Sequence, residues 1–398
     1  MDWPVYVRLS LMMFLQFAIW GAWSPVLAAR LFGPLKFTGK QVGWIYGTMY
    51  LGCIVSPLIG GLLTDRWVAT QWFLAAAHLV GGVLLLVAAR KTTFGGLFAA
   101  MGLYALAFAP TLPLVNSLTF RHLAASGSTF FAVSIWGVVA WVLVGWALAA
   151  WRRAKGSGDG SDCLKLAGAL SLILGVYCFF LPDTRPPQTP GEVLPFVKAF
   201  ALMGDANFLI FLVVAFLVAT QLQFYFLGTA QYLGDLGVES QNLPAVMSIA
   251  QAAQVLAMAF VAFCEVWVLR AIGFRWTLTA GVVMWTVMYA AYARMKPRGL
   301  VITSQLLHGV AYAFFIGIGF IYVNAAATAD FSGSAQALFV VVMFGFGFFL
   351  GTQFTGVAMD WLKADGKFRW RPIYLVPCVV TFISAVVFLA LFRDPVIR

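Results

Sequence analysis

Twelve long apolar runs dominate the sequence and leave few folds open to it. They fall at 4–29, 41–63, 71–89, 94–118, 129–151 and 166–182, then at 207–233, 243–269, 275–293, 299–324, 334–359 and 372–392. At ~1.5 Å of rise per residue, a helix made from such a run crosses the roughly 30 Å of hydrocarbon in a bilayer. Backbone N–H and C=O groups in lipid must be paired inside the protein, which leaves helices or a closed barrel. Barrel strands alternate apolar and polar residues over about ten positions, whereas these runs are apolar on every side. Only 10% of residues are charged, against roughly a quarter in a soluble protein, so the outer surface must meet lipid. The sequence therefore predicts an all-α membrane protein with twelve transmembrane helices.

Several function classes drop out. The net charge of +11 comes from basic residues scattered over short loops, without the clustering that a nucleic-acid face requires. The five cysteines show no CxxC spacing and four sit inside apolar runs, so neither a metal site nor a disulfide framework is expected. No HExxH or GxSxG motif is present, and no pair of carboxylates lies mid-membrane; an enzyme is not expected, nor a cofactor. The first run follows Trp3 directly, without a short apolar core and a small-residue cleavage site, and reads as a retained span. A monomer in the lipid bilayer is the expected state.

The runs divide six and six. Between them lies a turn-rich segment beginning Asp183-Thr-Arg-Pro-Pro, followed by an amphipathic stretch from Glu192 to Met203 suited to the membrane surface. The expected organisation is an N-terminal half at 1–182, a linker at 183–206 and a C-terminal half at 207–398. The halves echo one another: Leu15-Gln16-Phe17 recurs as Leu222-Gln223-Phe224, Ala107-Phe108-Ala109 as Ala311-Tyr312-Ala313, and Ser126-Gly127-Ser128 as Ser332-Gly333-Ser334. The offsets are 207, 204 and 206. A parallel duplication of this kind predicts a transporter whose substrate binds between the halves at mid-membrane.

Gly60-Gly61-Leu62-Leu63-Thr64-Asp65-Arg66-Trp67, where the second run gives way to the loop before the third, resembles the loop signature of the major facilitator superfamily, which marks Gly61, Asp65 and Arg66 as a gating loop. A narrower resemblance covers nearly the whole chain. Phe14-Leu-Gln-Phe-Ala-Ile-Trp-Gly-Ala-Trp23, Ala109-Pro-Thr-Leu-Pro-Leu-Val-Asn116, Ile135-Trp-Gly137 and Ser334-Ala-Gln336 are similar to segments of bacterial nucleoside:proton symporters. The resemblance implies nucleoside transport by alternating access across the bacterial inner membrane, with both termini cytoplasmic. It implies substrate contacts from Gln223, Gln251 and Gln254, with Trp141 and Tyr312 stacking on the base and His308 at another binding position. An amide both donates and accepts, which suits a base edge or a ribose hydroxyl.

The departures from that family concern coupling. Ser134, Val138 and Phe226 stand where the family has arginine, threonine and asparagine, and Gln254 and Ala313 replace its glutamate and aspartate. Independently of the family, no acidic residue lies near the middle of a run, although such residues mark proton routes. The interior polar groups are instead Gln16, Asn116, Gln221, Gln223, Gln251, Gln254, Gln305 and Gln353. His308 is the one remaining candidate for proton coupling; His78 is expected to bond a neighbouring helix. The readings left open are an uncoupled nucleoside facilitator, coupling through His308, a facilitator of another neutral solute such as a sugar, and a non-transporting sensor. The family's orientation puts about nine Lys/Arg on the cytoplasmic side and sixteen outside, against the usual bias.

Overall fold

In the computed structural model every apolar run forms a helix over its described residues. Residues 3–394 are described, apart from 57–59, 61, 124–126, 157, 187–198 and 328–331. Numbered in chain order, the helices of the first half are α1 (Trp3–Phe32), α2 (Gly39–Ser56), α3 (Thr70–Arg90), α4 (Phe94–His122), α5 (Gly127–Lys155) and α6 (Asp162–Phe180). Those of the second are α7 (Ala206–Asp235), α8 (Leu243–Val261), α9 (Leu269–Arg294), α10 (Arg298–Ala326), α11 (Ala335–Trp361) and α12 (Trp370–Leu391). Among the described residues eleven of these are long and apolar enough to cross a membrane; α2 ends where the description stops.

Outward faces carry large apolar side chains. Val80, Val83 and Val87 on α3, Leu256 and Phe260 on α8, and Val379, Phe382 and Val386 on α12 are all exposed. Their three- and four-residue spacing is one helix face, and a bilayer is the solvent that stabilises it. Helix ends use ordinary devices. Asp205 caps α7 by accepting the Phe208 N–H at 2.8 Å, satisfying one orphan donor of the first turn. Between α11 and α12 a hairpin pairs β1 (Lys363–Ala364) with β2 (Lys367–Phe368). Asp365 and Gly366 take φ of 51° and 75° in its turn, the geometry for which an Asp-Gly pair is suited.

Two compact units emerge, Met1–Leu194 with Gly237–Ser248, and Pro195–Leu236 with Ile249–Arg398. In the first, glycines let helices approach closely. A Cβ on Gly82 would stand 2.9 Å from the Gly168 carbonyl, joining α3 to α6. On α1 and α5 the fit is reciprocal: Trp141 lies over Gly21, and Phe17 lies over Gly137. Small-residue contacts of this kind drive helix association where lipid removes the hydrophobic advantage. The Trp-Gly elements in the sequence are thus in part a packing code.

Loop ends of this unit are fastened by polar contacts. Buried Arg30 donates to the carbonyls of Ala89 and Lys91 and to the Asp159 carboxylate. Arg152 clamps Asp162 through two bonds of 2.6 and 2.7 Å and donates to the Ser240 carbonyl at 3.1 Å. Near the start of α3, Gln71 donates to Asp183 at 2.8 Å and accepts the Thr184 N–H. The hydrogen bonds from Gln71 and Arg185 hold the Asp183 carboxyl below the usual carboxylate range.

The second unit is centred on α7, whose residues from Val218 to Ala230 are buried on every face. Tyr289 donates to the Gln221 carbonyl at 2.8 Å and Tyr232 to that of Tyr292 at 2.6 Å, tying α7 to α9. Trp370 donates to Asp235 at 2.8 Å, tying α12 to α7. Of the expected linker helix, 187–198 lie outside the described residues, and Ala199–Gly204 form a tight 3₁₀ stretch.

Candidate functional site

Gln223 sits in the buried middle of α7. It is 0% exposed, and neither its Nε2 nor its Oε1 has a hydrogen-bond partner among the described residues. A buried amide without partners costs about 1–3 kcal/mol, so packing must hold it there. Gly351 of α11 does so: a Cβ at that position would come within 2.8 Å of Gln223 Cγ. The donor and acceptor capacity of the amide is thus unspent on the described residues.

Two residues along α7, Tyr225 joins several of the polar groups. Its hydroxyl donates to Gln305 Oε1 of α10 at 3.3 Å, and the Gln251 side chain of α8 bonds the same hydroxyl. Its ring stacks on His308 with centroids 4.0 Å apart and planes 20° from parallel. Trp285 of α9 donates its indole N–H to His308 Nδ1 at 3.3 Å, and Phe226 meets the imidazole edge-on at 6.1 Å. Spans seven, eight, nine and ten thus converge on His308 and Gln251, both buried. Gly309, beside His308, makes the convergence possible, because a Cβ there would overlap the Ala250 carbonyl and the Gln254 N–H of α8.

The other singled-out residues are placed differently. Gln254 is half-buried and donates within its own helix to Met258 Sδ at 3.7 Å. Tyr312 is half-buried and opens a π-helical stretch, Tyr312–Gly317, inside α10; such bulges are frequent at functional sites. Ala313 is buried. Trp141 belongs to the first unit, half-buried against Gly21 and 6.0 Å from the Trp20 ring. There Gln16 donates to Thr111 at 2.7 Å, a bond between α1 and α4. The buried Oγ of Ser134 and the Nε1 of Trp20 have no partner among the described residues.

His78 departs from expectation. Its two ring nitrogens have no partner among the described residues, and the ring packs edge-on against Phe108. The bond to a neighbouring helix is made by its backbone carbonyl, which accepts from Ser171 of α6 at 2.8 Å. Of the gating loop, Gly61 and the Asp65 side chain lie outside the described residues, and Arg66 is exposed. Gly60 faces Pro110 of α4, with a hypothetical Cβ 3.0 Å away. Among the described residues no group of three His, Cys, Asp or Glu side chains could hold a metal ion.

Sequence reasoning missed Tyr225 and Trp285. Tyr225 lies in Leu222-Gln-Phe-Tyr-Phe226, where every other residue but Gln223 is apolar or aromatic, and Trp285 is one of 15 tryptophans. The only available signal was indirect: Gln305, His308 and Tyr312 recur at the three- and four-residue spacing of one α10 face, which requires polar or aromatic groups opposite.

The sequence profile described as "Nucleoside H+ symporter" matches residues 4–396. The chain is 31% identical to the putative nucleoside transporter YegT of Escherichia coli K12, over 97% of this chain and 93% of that protein. It is 27% identical to the xanthosine permease of the same organism, over 96% and 95%. A crystal structure of the nucleoside transporter NupG superposes with a TM-score of 0.85 at 25% identity, covering 99% of this chain and 100% of that one.

Proposed function

The chain belongs to the nucleoside H+ symporter family, and from that premise we propose that it carries nucleosides across a bacterial inner membrane without coupling them to protons. That it is a multi-pass membrane transporter of the major facilitator fold, and not an enzyme, follows from the family and the structural likeness. The observation that supports the substrate is Gln223, fully buried with an unpartnered amide. A nucleoside base edge or ribose hydroxyl supplies the acceptor and donor that this amide lacks. Gln251, Gln254, His308 and Tyr312 are the further contacts proposed from the second unit, and Trp141 from the first.

The case against coupling is chemical. Proton symport needs a group that gains and loses a proton within the membrane, and the two positions at which the family resemblance implies carboxylates hold Gln254 and Ala313 here. His308 has its Nδ1 lone pair engaged by the Trp285 N–H, so protonating that nitrogen would break the contact. The proposed halves, 1–182 and 207–398, would rock about the substrate, with the Gly61, Asp65 and Arg66 loop as gate and the termini cytoplasmic.

Uptake of radiolabelled uridine and adenosine into proteoliposomes tests this directly. Equilibration that an imposed inward proton gradient does not drive uphill is the expected result. Accumulation above equilibrium under the gradient overturns the uncoupled reading. Binding without flux would make the protein a sensor, and hexose competition in place of nucleoside competition would make it a sugar facilitator.

A further inference from the structure

We propose that Trp285 is a positioning residue that locks His308 as an Nε2–H donor, and that this donor reads an acceptor atom on the nucleoside; the second clause rests on the function proposed above. An indole N–H can only donate, so the imidazole nitrogen facing it must carry a lone pair. That nitrogen is Nδ1, 3.3 Å from Trp285 Nε1. A neutral imidazole has one proton, which therefore sits on Nε2.

The rings around His308 restrict how it can meet a ligand. Tyr225 covers one face at 4.0 Å and 20°, so that face cannot stack on a base. Phe226 meets the ring at 87°. The groups that face the imidazole from α7 and α9 are Tyr225, Phe226 and Trp285, none of them charged. Nε2 makes no hydrogen bond among the described residues, whereas Nδ1 does. His308 therefore presents a single in-plane donor, and its partner must be an acceptor: a base carbonyl, a ring nitrogen lone pair or a ribose oxygen. Trp285, fully buried on a different helix, bonds the imidazole at Nδ1, not Nε2, and acts through it.

A double-mutant cycle tests the lock by a measure that a merely structural role would not move. Equilibrium binding of uridine and adenosine is measured in detergent for the wild type, Trp285→Phe, His308→Phe and the double variant. Each single change is expected to weaken binding about fivefold, the worth of one positioned hydrogen bond. The double variant is expected to bind no more weakly than His308→Phe, because Trp285 has nothing left to position. Effects that multiply, or a Trp285→Phe variant that binds as the wild type does, overturn the proposal.

Nitrogen-15 NMR of histidine-labelled protein provides a second reading that needs no substrate and no variant. With three histidines in the chain, His308 is expected as a neutral ring protonated on Nε2, with its Nδ1 resonance moved by an accepted hydrogen bond. A proton on Nδ1 overturns the lock whatever the substrate is. If the spectrum shows the lock and the wild type binds neither nucleoside, the lock stands and the nucleoside reading falls.

Discussion

Replacing Gln223 by leucine separates a substrate ligand from a structural amide. Helix-to-helix hydrogen bonds are the alternative use of a glutamine in a span, and removing one of those would lower stability. Gln223 makes none with the described residues. Leucine keeps a carbon at the Cγ position, where Gly351 faces the glutamine side chain, so the local packing is retained. What is lost is an amide able to make two hydrogen bonds to a bound nucleoside. At ~1 kcal/mol each they are worth about 2 kcal/mol, or roughly thirtyfold in affinity. The apo protein loses nothing and sheds a buried polar group, so its thermal midpoint in detergent should stay the same or rise. Uridine binding should weaken by about the thirtyfold just worked, and the stabilisation that uridine confers should fall with it. A variant whose apo midpoint drops while its affinity is unchanged would refute the reasoning, because the amide would then be holding helices together.

Three further expectations follow from the same geometry. Gly309→Ala should weaken nucleoside binding, by as much as a hundredfold for a shift of roughly 1 Å in α8, and should cost about 1–3 kcal/mol from overpacking. Gly299→Ala, in the same helix with nothing within 4 Å of its Cβ position, should do neither when both are assayed for affinity and thermal midpoint. Arg152→Ala strands the Asp162 carboxylate, whose pair is 3% and 13% exposed, and should cost about 3 kcal/mol. Arg185→Ala, in a pair 83% and 56% exposed, should leave the midpoint in place. Finally, Gln254→Glu combined with Ala313→Asp should restore a titrating group to α8 and α10, so that an inward proton gradient drives uridine accumulation; uptake that stays equilibrative would show that coupling needs more than these two positions.

The spans were legible because lipid leaves a simple code: each run of about twenty apolar residues became a helix over its described residues. The described helix ends moved by only a few positions except at the α8–α9 boundary, which falls at Val261 and Leu269 and not at 269 and 275. Breaks within helices were less legible. The turn at Ser24–Val26 in α1 and the π-helical stretch at Val341–Gly347 in α11 leave hydropathy unchanged. The site was half legible. Glutamines stand out in an apolar sequence, so Gln223 and Gln251 could be singled out, but their fates depend on what lies across the helix contact. Gln16 spends its Nε2 on Thr111 and keeps only its Oε1 without a partner among the described residues, while Gln223, packed against glycine, has neither polar atom engaged. Tyr225 and Trp285 were hidden because burial and stacking, not residue type, give them their roles.

The repeat shared by the halves shows how one position can be used twice. Ala107-Phe108-Ala109 and Ala311-Tyr312-Ala313 both fall where the fourth helix of a half changes its winding. In α4 the cause is Pro110, which has no N–H to continue the ladder. Thr111 there donates its hydroxyl to the Phe108 carbonyl at 2.6 Å and accepts from Gln16, so the break is closed by side chains within the protein. In α10 no proline follows, and the helix widens instead into the π-helical turn from Tyr312 to Gly317. One extra residue in a helix turns everything after it by about 100°. His308 lies one turn before the widening and Tyr312 opens it, while Phe315 within it packs on Trp285 at 5.9 Å. The repeated sequence position thus seals a helix contact in one unit. In the other it sets Phe315 against Trp285, whose indole N–H donates to His308.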